Sequence, residues 1–464
     1  MGISLRLLQA LGWCWLIVGG FAAPLAAGAA AEGAGEVARG FALTAAAGVF
    51  LGGLSLTSTR GAQAPADTAT ALRLLLYGWL TTPVLAAPAL IASTGGFASG
   101  LFESFSALTT TGASVVVPED APRSIVLWRG LLQWLGGLAS LVLAVTVLAT
   151  LDAKGPGLRR STLLTVEGDD VFTNFGRAIR RIGSTYLGLT ILGVGLLMAT
   201  GAQPFSALTL AMSAISTGGM TPQSGPLGDW LPLAAILVTA LICLSGAWSM
   251  ALQYELVTRR RLMRSPGDLR AMMVLALAGG VAAAVFAGAG EFPMAALDAW
   301  FAVTTAGFSA DGAAHLPAII LVTLALIGGS AVSTTGGVKI PRVLLLARRA
   351  REELILLSHP SAAVTTRFAG RPASDAALLS VAVYALAYPL AMGAGALLIG
   401  AAGADFSEAW LLSGAALANA GPLTGADYAS LPDSVLYVLI PVMIVGRLEV
   451  VAFAAALFVI FTKD

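Results

Sequence analysis

Four short stretches decide the reading: ESFSALTTTGAS (Glu103–Ser114), PFSALTLAMSAISTGGMT (Pro204–Thr221), FPMAALDAWFAVTTAGFS (Phe292–Ser309) and DFSEAWLLSGAALANAGPL (Asp405–Leu423). Each opens with a Phe and a Pro or an acid, continues in small and apolar residues, and ends in Thr or Asn and then Gly. Aligned on those ends, Gly112, Gly219, Gly307 and Gly421 fall in one column, preceded by Thr110–Thr111, Thr217–Gly218, Thr305–Ala306 and Asn419–Ala420. The aligned glycines recur at intervals of 107, 88 and 114 residues. Each stretch is too short for a bilayer crossing of about 20 residues, and too apolar for an exposed loop.

The surrounding sequence supplies the crossings. Of 464 residues, 57% are hydrophobic and 11% charged, with a mean hydropathy of +0.86. A soluble domain carries about 25% charged residues, so a soluble globule, a disordered chain and a nucleic-acid binder are excluded. Apolar runs near 7–31, 40–57, 71–93, 124–151, 183–201, 231–257, 271–290, 316–346, 376–402 and 434–462 make about ten spans of an all-α polytopic membrane protein. The first run also has the small-residue, apolar character of a signal peptide, but exceeds the usual 7–15-residue core. The chain divides into two N-terminal spans (1–62) and four units, 63–155, 156–262, 263–360 and 361–464. Each unit is a span, a half-crossing segment and a span.

Of the 26 Lys and Arg, 21 fall in alternate loops (Arg6, Arg60 and Arg73, Lys154–Arg181, Arg259–Arg270, Arg342–Arg371, Lys463), with Arg39 and Arg123 on the opposite side. The positive-inside rule therefore puts both termini in the cytoplasm, and it also accounts for the Arg259–Arg261 and Arg348–Arg351 clusters. Arg129, Lys339 and Arg447 lie within or beside apolar runs. Acids from Glu32 to Asp433, including Glu103, Glu291, Asp298 and Asp311, gather toward the outward side and read as a solvated rim or a cation-attracting field. Cys14 and Cys243 form no disulfide framework, and His315 and His359 lie in loops with no partner pattern.

Backbone that leaves a helix at membrane depth exposes carbonyls that lipid cannot satisfy, so it survives only facing protein or water. Four such breaks on one axis make a ring of carbonyl oxygens that replaces the hydration shell of a monovalent cation. The short helix before each break aims its partly negative C-terminal end at that axis. Small residues in apolar helices also serve close helix packing, but packing does not predict four matching Thr/Asn-x-Gly ends. The expected ion-binding residues are Thr110, Thr111, Gly112, Thr217, Gly218, Gly219, Thr305, Ala306, Gly307, Asn419, Ala420 and Gly421.

Within 316–346, the stretch GGSAVSTTGGVKI (Gly328–Ile340) interrupts the helix. Glycine pairs and hydroxyl residues there predict an irregular flap, Ser330–Gly337, lining the water path below the ring. A kinked helix with back-bonded hydroxyls is the alternative. Candidate gate residues are Ser330, Ser333, Thr334, Thr335, Gly336, Gly337, Lys339 and Arg447. Lys339 also suits snorkelling at the cytoplasmic edge. Arg447, deep in the last run, must face a cavity or a partner, either the flap or an acid on a neighbouring helix. Glu449 lies about 200° round the helix and does not suit it.

TTTGAS at Thr109–Ser114, STGGMT at Ser216–Thr221, TTAGFS at Thr304–Ser309 and ANAGPL at Ala418–Leu423 resemble the filter segments of the Trk/Ktr/HKT potassium transporter superfamily. QWLGG (Gln133–Gly137), the Gly328–Ile340 stretch and GRLEV (Gly446–Val450) resemble signatures of its bacterial TrkH-type members, as do the two extra N-terminal spans. The second and fourth segments, with Gly218, Ala420 and Ala418, are looser than the others. The resemblance implies a homodimeric potassium-uptake subunit of the bacterial inner membrane, with K+ at the filter residues and no cofactor of its own. It also implies a separate cytosolic TrkA-like (RCK-type) regulator that binds nucleotide. Glycine at all four aligned positions is the pattern of potassium-selective members. A secondary transporter coupling Na+ or K+ to H+ or Na+ is the competing class, but it calls for two broken helices in inverted repeats rather than four segments. Nothing supports an enzyme, since no P-loop, zinc motif or nucleophile with a base is present.

Overall fold

The computed structural model describes residues 5–61, 68–144, 171–259, 267–313, 315–362, 367–368, 371–372 and 375–461. The expected unit boundaries at 62/63, 155/156 and 262/263, Lys463, and the basic residues from Lys154 to Arg160 lie outside the described residues.

Helices α1 (Leu5–Ala31) and α2 (Gly35–Ser58) form a hairpin whose seam is made of glycines. A Cβ on Gly48 would lie 2.6 Å from the Trp15 carbonyl oxygen, so here small residues do serve close helix packing. The first unit follows as α3 (Thr68–Ala86), broken before Pro88 into α4 (Pro88–Thr94), then α5 (Phe97–Leu108) and α6 (Arg123–Leu143). The second comprises α7 (Val171–Ala199), α8 (Pro204–Ile215), α9 (Leu233–Ala247) and α10 (Met250–Arg259). The third comprises α11 (Asp268–Ala287), α12 (Phe292–Val303), α13 (Ala318–Ile327) and α14 (Ile340–Ser358). The fourth comprises α15 (Asp375–Ala401), α16 (Phe406–Ala418), α17 (Asp433–Leu448) and α18 (Val450–Phe461). A two-residue antiparallel pair, β1 (Arg367–Phe368) with β2 (Arg371–Pro372), is a minor addition to an all-helical fold.

Seven of these helices are long and apolar enough to cross a membrane unaided, and two bent pairs bring the number to nine. The remaining run read from the sequence, 316–346, holds the ten-residue α13, the Gly328–Lys339 loop and the start of α14. The runs 231–257 and 434–462, read as continuous spans, instead bend by 101° between α9 and α10 and by 102° between α17 and α18. The cause is local backbone geometry. Trp248 is extended and Glu449 adopts a φ of 61°, so neither continues its helix. Large apolar side chains such as Val285 and Phe286 are exposed on the outer surface, as suits a face turned toward lipid.

Candidate functional site

The short helices α5, α8, α12 and α16 end in the same way. Thr111 N–H bonds back to Ser106 O at 2.9 Å, Gly218 to Ser213 at 2.8 Å, Ala306 to Phe301 at 3.0 Å and Ala420 to Ala415 at 2.9 Å. This is a Schellman closure, whose left-handed position is ordinarily glycine. Here it is held by Thr110 (φ 55°), Thr217 (52°), Thr305 (55°) and Asn419 (51°). A β-branched residue at positive φ costs on the order of 1–3 kcal/mol and persists only where its surroundings impose it. Two residues on, Gly112, Gly219 and Gly307 also have positive φ, whereas Gly421 does not and opens a 3-10 turn, Gly421–Thr424. The second segment, looser in sequence, thus has the same backbone as the first and third. Only the fourth departs.

The segments lie side by side around a closed ring. A Cβ on Gly112 would come within 2.0 Å of the Gly218 carbonyl oxygen, and one on Gly219 within 2.5 Å of that of Ala306. A Cβ on Gly307 would lie 3.1 Å from Pro422, and one on Gly421 2.6 Å from the Ala113 nitrogen. Gly421 N–H donates to Thr111 O at 2.7 Å and closes the circuit. All twelve residues named from the sequence are buried in this ring.

Their carbonyls fall into two groups. Those of Thr111, Gly218, Ala420 and Gly421 accept from Gly421 N–H, from Gln133 Nε2 at 2.6 Å, from Leu423 N–H at 3.3 Å and from the Tyr428 hydroxyl at 2.9 Å. Among the described residues, no donor reaches the carbonyl oxygens of Thr110, Gly112, Thr217, Gly219, Thr305, Ala306, Gly307 or Asn419. Buried carbonyls are normally paired, so this many unpaired oxygens in one ring have the chemistry to accept a cation in place of its water.

Behind the first segment, Glu103 accepts from Val115 N–H at 2.9 Å and Ser114 Oγ at 2.8 Å, and pairs with Arg129 at 2.8 Å. Asp298, in α12, accepts from Ala310 N–H at 2.8 Å behind the third. The reading of these two acids as part of a solvated rim is corrected. Glu103 is 0% and Asp298 6% exposed, because each serves a backbone amide just past its segment. His315, assigned no partner from sequence, lies between Glu291 (Nδ1, 2.6 Å) and Asp311 (Nε2, 2.7 Å).

The Gly328–Lys339 loop packs across one side of the ring. Thr334 N–H bonds to Gly246 O and Ser330 N–H to Ala247 O, both at 3.0 Å, which fixes the loop to the end of α9. Thr334 Oγ1 meets Thr217 Oγ1 at 3.2 Å, Gly336 N–H donates to Thr305 Oγ1 at 3.2 Å, and a Cβ on Gly336 would lie 2.0 Å from the Ala418 carbonyl oxygen. The loop therefore touches segments two, three and four. Ser330 Oγ donates to Asp268 at 3.0 Å, Ser333 Oγ to Ser330 O at 2.6 Å, and Tyr388 OH to Gly337 O at 3.0 Å. Lys339 does not snorkel. It is buried with φ 78°, and its ammonium bonds the Thr335 carbonyl and hydroxyl. Arg447 donates from Nη1 to Thr334 O at 2.7 Å and from Nε to Ser140 Oγ at 2.5 Å, and it stacks over Trp79 at 5.9 Å. Among the described residues no acid pairs with it. Glu449 pairs instead with Arg342 at 2.8 Å. Beneath the ring a cavity of about 40 Å³ is lined by Trp79, Ser140, Ser333, Thr335, Lys339 and Arg447, which is room for only a few waters.

Sequence reasoning missed Gln133, although it quoted QWLGG, along with Glu103, Asp298 and Trp79. The one available signal was that Glu103 and Asp298 each stand nine residues before an aligned glycine.

The family model for TrkH, described as a cation transport protein, matches residues 38–272 and 271–463. The Trk system potassium uptake protein TrkH of Halomonas elongata is 30% identical over 367 residues, 75% of this chain and 76% of its own length. TrkH of Vibrio parahaemolyticus is 31% identical over 370 residues, again 75% and 76%. The crystal structure of the potassium transporter TrkH from V. parahaemolyticus superposes with a TM-score of 0.84 at 25% identity, covering 98% of both chains. Nearly the whole chain is matched in both sequence and architecture, and it belongs to the TrkH family of cation transport proteins.

Proposed function

We propose that this protein carries potassium into a bacterial cell across the cytoplasmic membrane. The route is a channel-like pore whose filter is the four-segment ring and whose gate is the Gly328–Lys339 loop with Arg447. The observation that carries the reading is the set of buried carbonyl oxygens left without donors in a closed ring. Four helix C-termini aimed at the same place add partial negative charge. The names of the relatives supply the choice of potassium.

In this reading both termini are cytoplasmic, in line with the distribution of Lys and Arg. The loop and the small cavity represent a closed gate: Arg447 places a fixed positive charge under the ring and ties down Thr334. Opening falls to a separate cytosolic nucleotide-binding subunit of the TrkA type, and the membrane subunit works as a homodimer. A potential of 100 mV, inside negative, contributes about 2.3 kcal/mol per charge, enough for roughly 40-fold accumulation without a coupling ion.

The test is flux of potassium, rubidium and sodium into proteoliposomes under an imposed potential. Uncoupled, potential-driven potassium and rubidium flux that exceeds sodium flux supports the pore. Flux strictly coupled to H+ or Na+, without single-channel currents, would make the protein a secondary transporter.

A further inference from the structure

The spacing that relates Gly112 to Gly307 also relates Glu103 to Asp298, Val115 to Ala310, and the start of α6 to that of α13. In both units the carboxylate from the short helix accepts the same backbone N–H, three residues past the aligned glycine. The second and fourth units carry Leu210 and Leu412 at this position, so the device belongs to two opposite units. The two carboxylates differ in what answers their charge. Glu103 is paired with the Arg129 guanidinium at 2.8 Å. The equivalent of Arg129 in the third unit is Leu324.

We propose that Asp298 is a positioning residue that sets the exit of the third segment, and that its hold depends on His315 being protonated, so that ion selection responds to pH on the outer side. The proposal rests on the pore reading above. His315 lies in the turn after the third segment, bonded to Asp311 and to Glu291 at the entrance to α12. The charged groups facing it among the described residues are Glu291, Asp298 and Asp311. Burial by itself would lower the imidazole's pKa, but the hydrogen bond and charge of Asp311, with Asp298 and Glu291, outweigh it and raise it above the ordinary value. As an imidazolium, His315 balances these carboxylates. Once external pH rises through the raised pKa that charge is lost, and the acids around the now neutral ring, Asp298 among them, are left without a cation to offset their repulsion. The backbone past the third segment also accepts Leu227 N–H on Ser309 O and Gly228 N–H on Ala310 O, so a shift there reaches the second unit.

The experiment uses the full chain in proteoliposomes, with internal pH clamped and external pH stepped from neutral to alkaline, and the ratio of rubidium to sodium flux read at each step. For the native chain the ratio is high at neutral pH and falls as external pH rises past the ordinary histidine range. His315→Gln gives the lower ratio at every pH and no pH profile. Asp298→Ala lowers the ratio by about tenfold, the worth of one charge-assisted hydrogen bond. The double change Asp298→Glu with Leu324→Arg, which transplants the arrangement of the first unit, restores the ratio and abolishes the pH profile. A native ratio that is flat with pH, and is matched by His315→Gln, overturns the proposal even where Asp298→Ala fails to fold. Absence of selective flux in the native chain refutes the pore reading itself, a distinct outcome.

Discussion

Replacing Gly112 by serine is the most informative single substitution at the ring. The added Cβ would lie 2.0 Å from the Gly218 carbonyl oxygen, 3.1 Å from its carbonyl carbon and 3.2 Å from Gly219 Cα, at a backbone φ of 77°. Leaving glycine at that φ costs about 1–2 kcal/mol, and forcing a methylene into a packed contact costs about 1–3 kcal/mol more. The Gly218 oxygen cannot simply swing aside, because Gln133 Nε2 holds it at 2.6 Å. The two neighbouring segments must separate, and with them the donor-free oxygens of Gly112, Thr217 and Gly219. A penalty of about 2–5 kcal/mol concentrated on the ring corresponds to a loss of tenfold or more in rubidium-over-sodium preference. Tracer flux in proteoliposomes measures it. Gly20→Ala, at a position where a Cβ meets nothing within 4 Å, controls for glycine loss in general. If Gly112→Ser keeps native flux, ion preference and melting temperature, segments one and two do not meet as described and the ring reasoning fails.

Other substitutions probe the supports. Gln133→Leu leaves the Gly218 carbonyl buried without its donor, at about 1–3 kcal/mol, so both the melting temperature and the ion preference should drop. Arg129→Leu strands the Glu103 carboxylate at about 3–5 kcal/mol; yield of folded protein on size exclusion should collapse and recover in part with Glu103→Gln. Arg447→Ala removes a charged hydrogen bond to Thr334 worth about 1.5–3 kcal/mol, so basal potassium flux without any regulator should rise about tenfold or more. Unchanged basal flux would remove Arg447 from the gate. Deleting Ser333–Gly336 should likewise raise basal flux, and unchanged flux would take the loop out of the gate.

What could be read from the sequence was whatever chemistry repeats along it. The crossings follow from apolar length, and the ring follows from four Thr/Asn-x-Gly ends, because a helix broken at membrane depth needs the same backbone solution each time. The flap follows from glycine pairs where a helix should continue. What could not be read depends on contacts between distant positions. Gln133 reaches Gly218 across 85 residues, and Arg447 reaches Thr334 across 113. The bends before α10 and α18 have no proline to announce them, since they come from Trp248 and Glu449 leaving helical geometry. Glu103 and Asp298 passed for rim acids because composition registers charge, whereas their role is to accept one amide each in the dark of the protein. The fourth segment shows the converse: its aligned glycine matches the others in sequence but not in φ, and Gly421 instead admits the close approach of Ala113.

The most direct measurement is a crystal of the protein grown with rubidium in place of potassium, read by its anomalous signal. The ring account predicts a peak on the pseudo-fourfold axis, bounded by the carbonyl oxygens of Thr110, Gly112, Thr217, Gly219, Thr305, Gly307 and Asn419. A ring empty of rubidium, with the ion bound only among the outer acids or nowhere along the axis, would contradict it.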